Sequence, residues 1–138
     1  MIQLILHLIG DYVTQSDWMA QNKTKCSFAA SCHASVYSIP FLFIGSLWAF
    51  YVILITHFFI DRYRLARYIV WLKNRWLQPR PYAHEQPARF QWVEKWKWSN
   101  CSATGYPSDS PPWLSVWLMI AADNTLHLAI NAMALKWL

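Results

Sequence analysis

A long stretch without formal charge constrains this chain most. From Cys26 to Ile60 the sequence contains no Asp, Glu, Lys or Arg. As one helix rising about 1.5 Å per residue it would be about 50 Å long, whereas the hydrocarbon core of a bilayer is about 30 Å thick. Pro40 and Gly45 lie near its middle and favour a reversal of the chain there. We therefore predict a hairpin of two membrane helices, over residues 27–44 and 47–75.

Two further helices complete a bundle in this interpretation. The N-terminus lacks the basic region and cleavage site of a secretory signal, so residues 2–21 are expected to remain as a first helix. Residues 113–135 carry Asp123 as their only formal charge and predict a fourth helix over residues 113–137. The sequence thus predicts an all-α fold, a four-helix transmembrane bundle in which residues 1–138 form a single membrane domain.

The basic residues predict how the bundle is oriented. Lys23 and Lys25 precede the hairpin, and Arg62, Arg64 and Arg67 follow the charge-free stretch, so both clusters lie on the same membrane face. By the positive-inside rule that face is cytoplasmic. We expect a multi-pass membrane protein, with the lipid bilayer as its main partner.

The connection between helices three and four has a different composition. Residues 78–112 are polar and rich in Pro and Trp, and Trp92 and Trp96 stand one helical turn apart among cationic residues. This pattern is typical of a helix lying in the headgroup layer, with its indole rings at the boundary. It predicts an interfacial Trp-rich segment.

Two classes of site are disfavoured by the sequence. The net charge of +5 could attract nucleic acid, but the basic residues lie beside apolar segments, without a reading helix or an aromatic RNA motif. We therefore expect no nucleic-acid partner. The cysteines Cys26, Cys32 and Cys101 are odd in number and lack CxxC spacing, which argues against a disulfide framework and against a thiolate zinc site.

Histidines and aspartates recur at helical spacing within the predicted spans. A spacing of i, i+4 places two side chains on one helix face. Ionisable residues in a membrane cost about 2.5 to 3.5 kcal/mol at the centre, so they normally face a bundle interior or a cavity. Each predicted helix carries an imidazole in such a pair: His7 with Asp11, His33 with Tyr37, His57 with Asp61, and Asp123 with His127.

Imidazole and carboxylate together are the ligand set of transition-metal centres. The candidate metal ligands are His7, Asp11, His33, His57, Asp61, Asp123 and His127. They exceed the needs of one tetrahedral ion, so two ions bridged by an aspartate, or one ion with a general base, both fit. We expect a divalent transition metal, with zinc as the leading candidate.

The ligand set favours metal-dependent hydrolysis of a phosphate ester or lipid-like substrate in the cytoplasmic half of the membrane, because metal centres activate water and bind oxyanions. Asp61 and Asp123 are the candidate catalytic residues. Gln15, Tyr37, Asn124 and Asn131 extend the polar faces and are candidates for hydrogen bonds to the ligands. Lys23 and Lys25 are candidates for binding an anionic substrate, although as topogenic charges they need no further role.

Two other functions are compatible with the same residues. The His and Asp pairs could hold the helices together by hydrogen bonds without any ion. They could also form a proton or ion relay. A homo-oligomer is left open by the sequence.

Several motifs occur together in order along the chain. They are HisLeuIleGlyAspTyr at residues 7–12, ThrHisPhePheIleAsp at 56–61, ThrGlyTyrPro at 104–107 and AspAsnThrLeuHis at 123–127. With them the chain resembles a family of small phage and bacterial integral membrane proteins, domain of unknown function family 3307. Its polar pattern is similar to that of membrane-bound metal-dependent hydrolases. The resemblance implies a location in the bacterial inner membrane. It also implies a non-enzymatic alternative, in which the protein modifies a cell envelope or binds a partner.

Overall fold

The computed structural model describes residues 1–77 and 94–138. The regular structure of these residues is helical, apart from one isolated bridge between Cys101 and Pro107. The all-α expectation is therefore confirmed. The chain divides into two compact units, residues 1–65 with 124–138 and residues 66–123. The single membrane domain stays a prediction.

The N-terminal segment of the first unit is interrupted. Helix α1 spans Ile2–Leu8 and continues as a π-helical turn over Ile9–Val13, and helix α2 spans Asp17–Asn22. Between them Ser16 is extended, with φ −71° and ψ 157°, and its hydroxyl accepts the Met19 amide at 3.3 Å. The serine caps a new helix, so the continuous helix predicted over residues 2–21 is replaced by two shorter ones.

A helical hairpin follows in the first unit. Helix α3 spans Ser27–Ser38 and continues as a 3₁₀ segment over Ile39–Phe43, which contains Pro40. Helix α4 spans Leu47–Tyr63, and its N-cap Ser46 accepts the Ala49 amide at 3.1 Å. The apolar core of the first unit joins these helices to the C-terminal residues of the chain. It consists of Tyr37, Phe41, Ala49, Ile53 and Ala134.

The third predicted helix also differs from the structure. Arg64 adopts a left-handed conformation, with φ 50° and ψ 52°, and its amide bonds back to Ile60 and Asp61. This conformation ends a helix, because the chain leaves the helical path there. Helix α5 then spans Leu65–Leu77, so two helices replace the single one predicted over residues 47–75.

The second unit has a small core of its own. Val70, Trp96 and Tyr106 are buried together, and the Trp71 indole donates to the Trp96 carbonyl at 3.0 Å. Gly105 has φ +80°, and a Cβ there would overlap the Arg67 carbonyl. The interfacial helix predicted in the Trp-rich connection lies partly outside the described residues. Its described part contains the short 3₁₀ helix Trp98–Asn100.

Helix α6 spans Pro112–Trp137 and runs through both units. Among the described helices it is the one whose length and apolar composition would let it cross a membrane. The predicted bundle of four such helices is not supported, because the breaks at Ser16 and Arg64 leave shorter helices.

In the first unit, several histidines are buried while several large apolar side chains are exposed. His7, His33, His57 and His127 are at most 2% exposed. On the surface, Leu47, Trp48 and Phe43 are 66%, 74% and 85% exposed. Large exposed apolar surfaces mark contact with lipid or with another protein.

Candidate metal centre

Four segments of the first unit place their buried polar side chains in one cluster. The first segment provides His7 and Asp11, α3 provides His33 and Tyr37, α4 provides His57 and Asp61, and α6 provides His127 and Asn131. The i, i+4 spacing puts both members of each pair on one face. Asp11 lies in the π-helical turn, a distortion that is frequent at functional sites.

The middle of the cluster is formed by α3 and α4. His33 Nε2 lies 2.9 Å from His57 Nε2. Asp61 Oδ2 lies 3.0 Å from the first of these nitrogens and 3.2 Å from the second. The three atoms therefore form a compact triangle in which two lone-pair donors face a carboxylate.

The remaining ligand candidates, Asp11 and His127, each lie within 3.6 Å of an atom of His33, His57 or Asp61. Asp11 Oδ1 lies 3.3 Å from His33 Nε2 and 3.5 Å from His57 Nε2. His127 Nε2 lies 3.6 Å from Asp61 Oδ1. The His57 and His127 rings pack at 4.1 Å between centroids. These contacts thus link the five candidate ligands into one connected cluster.

Two overlapping groups in this cluster have the spacing of metal ligands. The first consists of Asp11, His33 and His57, and the second of His57, Asp61 and His127. Within each group, one potential ligand atom per residue lies within 4.8 Å of the others, and all members are buried. These five of the seven predicted ligands come together from the π-helical turn, α3, α4 and α6.

His7 belongs to a neighbouring hydrogen-bond network instead. Its Nδ1 lies 2.8 Å from the Tyr37 hydroxyl, and its Nε2 lies 3.2 Å from Asn124 Oδ1. The Asn131 amide donates to the same tyrosine oxygen at 2.6 Å, which leaves the tyrosine proton available for His7. His7 Nδ1 also lies 3.5 Å from Asp11 Oδ2, and His7 belongs to neither ligand group found in the described residues.

The Tyr37 ring packs against the histidine rings of the centre. It stacks on the His57 ring with 3.7 Å between centroids. Gly10 makes this position accessible, because a Cβ at Gly10 would overlap the ring. Of the four residues predicted to support the ligands, Tyr37, Asn124 and Asn131 lie in this network, whereas Gln15 Oε1 is buried without a hydrogen-bond partner in the described part of the chain.

The two predicted anion-binding lysines have different surroundings. Lys23 Nζ donates to Asp61 Oδ2 at 2.9 Å and lies 3.4 Å from His33 Nε2. Lys25 is exposed on the same connection. The sequence reveals the position of Lys23 next to a helix, but not that its side chain points into the cluster.

The sequence does not predict the surroundings of Asp123 and Tyr12. Asp123, predicted as a ligand and as a catalytic group, is half-buried in the second unit and belongs to neither ligand group found in the described residues. Tyr12 was not predicted, and its hydroxyl accepts the Asn124 amide at 2.8 Å. Its position next to Asp11 was the available signal.

Comparison with known proteins identifies the family. No curated protein and no solved structure matches the chain significantly. The model of a family described as "Protein of unknown function (DUF3307)" matches residues 1–90, which include four of the five converging ligand candidates. Because this match covers more than half of the sequence, the chain belongs to the DUF3307 family.

Proposed function

We propose that this chain is an integral membrane protein whose buried centre binds a divalent transition metal and hydrolyses a phosphate ester or a lipid-like substrate. The observation that carries the proposal is the convergence of three imidazoles and two carboxylates from separate helical segments. They belong to Asp11, His33, His57, Asp61 and His127.

The buried nitrogen and oxygen atoms of the centre offer more lone pairs than there are protons between them. This favours a bound cation over a centre held together by hydrogen bonds alone. The facing nitrogens of His33 and His57, 2.9 Å apart, share one proton at most. Two carboxylate oxygens lie within 3.5 Å of both nitrogens. Asp11 Oδ1 is buried and makes no hydrogen bond to any described residue. Such a group normally has a partner, and a metal ion would accept all of these lone pairs together.

The type of donor indicates which ion would fit. Neutral imidazole with carboxylate suits zinc, manganese or iron, and zinc is our leading candidate. Asp61 can present both oxygens, Oδ2 toward His33 and Oδ1 toward His127, so it is suited to bridge two ions. A metal of this kind supplies a water nucleophile near neutral pH and stabilises negative charge on a phosphoryl oxygen.

The membrane location is supported by the surface of the first unit. A soluble protein would place residues such as Trp48 inside, yet Trp48 is 74% exposed while four histidines are buried. Lipid would cover the apolar surface, and the buried polar centre would avoid lipid contact. We propose a multi-pass arrangement in which α6 crosses the bilayer and the shorter helices pack within it.

An apolar groove supports a lipid-like substrate. Its cavity of about 340 Å³ lies between α3 and α4. Ala34 and Phe58 of its lining directly follow His33 and His57 in sequence, so the groove lies on the same two helices as these candidate ligands. The remaining lining residues are Ser31, Ser35, Leu54, Ile55 and Phe59. A hydrocarbon chain would be well accommodated there.

One observation favours a second candidate, a bundle held together without catalysis. The Lys23–Asp61 ion pair and the His33–His57 contact connect three segments without an ion. In that case the aspartates would contribute about 0.6 to 2 kcal/mol for each hydrogen bond in a membrane bundle. A structural protein that alters an envelope or binds a partner would need no more.

Substitution of Asp61 separates the two candidates. We would purify the wild type, Asp61→Asn and the control Asp17→Asn in detergent with zinc. Asp17 is exposed and accepts a hydrogen bond from Gln21, so its loss should leave the centre intact. The assay screens phosphomonoesters, phosphodiesters, nucleotides and lipid phosphates.

For a hydrolase, Asp61→Asn should remain folded, because the amide is nearly isosteric, and should lose at least about a hundredfold in turnover. The control should retain wild-type turnover. If the zinc-loaded wild type is inert toward every substrate class, or if Asp61→Asn is as active as the wild type, the hydrolase proposal is wrong.

A further inference from the structure

Lys23 contacts a candidate ligand of each group. Its ammonium lies 2.9 Å from Asp61 Oδ2 and 3.4 Å from His33 Nε2. The side chain of Lys23 is 19% exposed, and that of Asp61 is 3% exposed. A cation of the protein itself therefore reaches from the edge of the cluster to a buried carboxylate.

The position of the ammonium conflicts with metal binding. His33 Nε2 has one lone pair, and it cannot bind an ion while it accepts a hydrogen bond from Lys23. Asp61 Oδ2 already lies near Lys23, His33 and His57 within 3.2 Å. An ion bound by His33 and Asp61 would stand close to the ammonium, and two neighbouring cations repel each other strongly in a buried site.

We propose that the Lys23 ammonium occupies the position of a metal ion in the ion-free centre, and that metal binding must expel it. This inference rests on the proposed metal centre. Lys23 thereby keeps the buried carboxylate paired when no ion is bound, since an unpaired buried charge is strongly destabilising. It also lowers the affinity of the centre for metals, because every ion must first break this pair.

The local structure allows the side chain to move while the backbone stays fixed. Lys23 is the C-cap of α2, and its amide donates to the Met19 carbonyl at 2.8 Å. The next residue is also held, since the Arg62 guanidinium donates to the Thr24 carbonyl at 2.7 Å. The flexible lysine stem can then withdraw its ammonium toward solvent by rotation about its own bonds.

Three variants test the competition. Lys23→Met removes the ammonium and keeps the apolar stem, Lys23→Arg keeps a cation, and Lys25→Met removes an exposed charge from the same connection. Zinc affinity is measured in detergent by competition with a chromogenic chelator. Lys23→Met should bind zinc at least about tenfold more tightly than the wild type, which corresponds to about 1.4 kcal/mol. The other two variants should bind like the wild type, within about threefold.

The possible outcomes distinguish the competition by Lys23 from the proposed metal centre on which it rests. If the wild type binds zinc and Lys23→Met binds it equally or more weakly, Lys23 supports the site, and the competition is wrong while the metal centre stands. If neither protein binds zinc, both are wrong. If Lys23→Met folds only with zinc, the rate at which each zinc-loaded protein releases zinc to the chelator is measured instead. Slower release than from the wild type is expected, and equal or faster release overturns the inference.

Discussion

Gly10 offers a test of how α1 positions the centre. An alanine Cβ at this position would lie 3.0 Å from Tyr37 Cε2 and 3.2 Å from Tyr37 Cγ, besides overlapping Cδ2. Carbon atoms pack at about 3.5 to 4.0 Å, and the overlap with Cδ2 is the closest contact, so the Gly10 backbone must withdraw from the ring by about 1 Å or more. Asp11 is the next residue and would move with it, away from His33 and His57.

The cost of Gly10→Ala follows from two opposing effects. Overpacking of a filled site costs about 1 to 3 kcal/mol. Alanine recovers about 0.5 to 1 kcal/mol because it orders a helical backbone more easily than glycine. We expect a net loss of about 1 to 2 kcal/mol in the free energy of unfolding, together with about tenfold weaker zinc binding from the displacement of Asp11.

Gly45→Ala is the matched control. There the new Cβ would meet the Leu135 Cδ2 atom at 2.7 Å, which is the end of a flexible side chain that can rotate away. Thermal unfolding in detergent and zinc competition would be measured for both variants. If Gly10→Ala is as stable as the wild type and binds zinc as tightly, the close packing of α1 on Tyr37 does not position Asp11.

Two further predictions address the network and the topology. Tyr37→Phe removes the hydroxyl that contacts His7 and should lower the free energy of unfolding by about 1 to 3 kcal/mol, as measured by thermal unfolding. Zinc affinity, measured by titration, should change little, because Tyr37 belongs to neither ligand group. Reporter fusions after Arg75 and at Leu138 should report opposite sides of the membrane, since α6 lies between them, and a common side would contradict the proposed topology.

The convergence of the polar residues was largely predictable from spacing. His57 and Asp61 stand one helical turn apart in a stretch without other charges, and the structure places both in the centre. The same reasoning selected His7 as a ligand, which stays a prediction: its nitrogens contact Tyr37 and Asn124, and Nδ1 also lies 3.5 Å from Asp11 Oδ2. Spacing identifies the face of a helix that turns inward, whereas the partner of each nitrogen depends on packing between helices.

The breaks in the helices were less predictable. Arg64 ends α4 in a left-handed conformation, which glycine adopts far more readily than arginine. Ser16 is a good N-cap, yet the apolar residues around it also suit a continuous helix. The inward direction of Lys23 had no sequence signal, because a lysine beside a membrane helix is usually explained by topology alone.

Metal content tests the central claim most directly. The wild type, His57→Ala and Tyr51→Ala would be purified in detergent without added metal and analysed for transition elements. Tyr51 is 50% exposed on the same helix as His57 and serves as the control. We predict at least about one ion per chain in the wild type and the control, and a loss of most of it in His57→Ala, because His57 belongs to both ligand groups. A metal content far below one ion per chain that is unchanged in His57→Ala would contradict the metal centre.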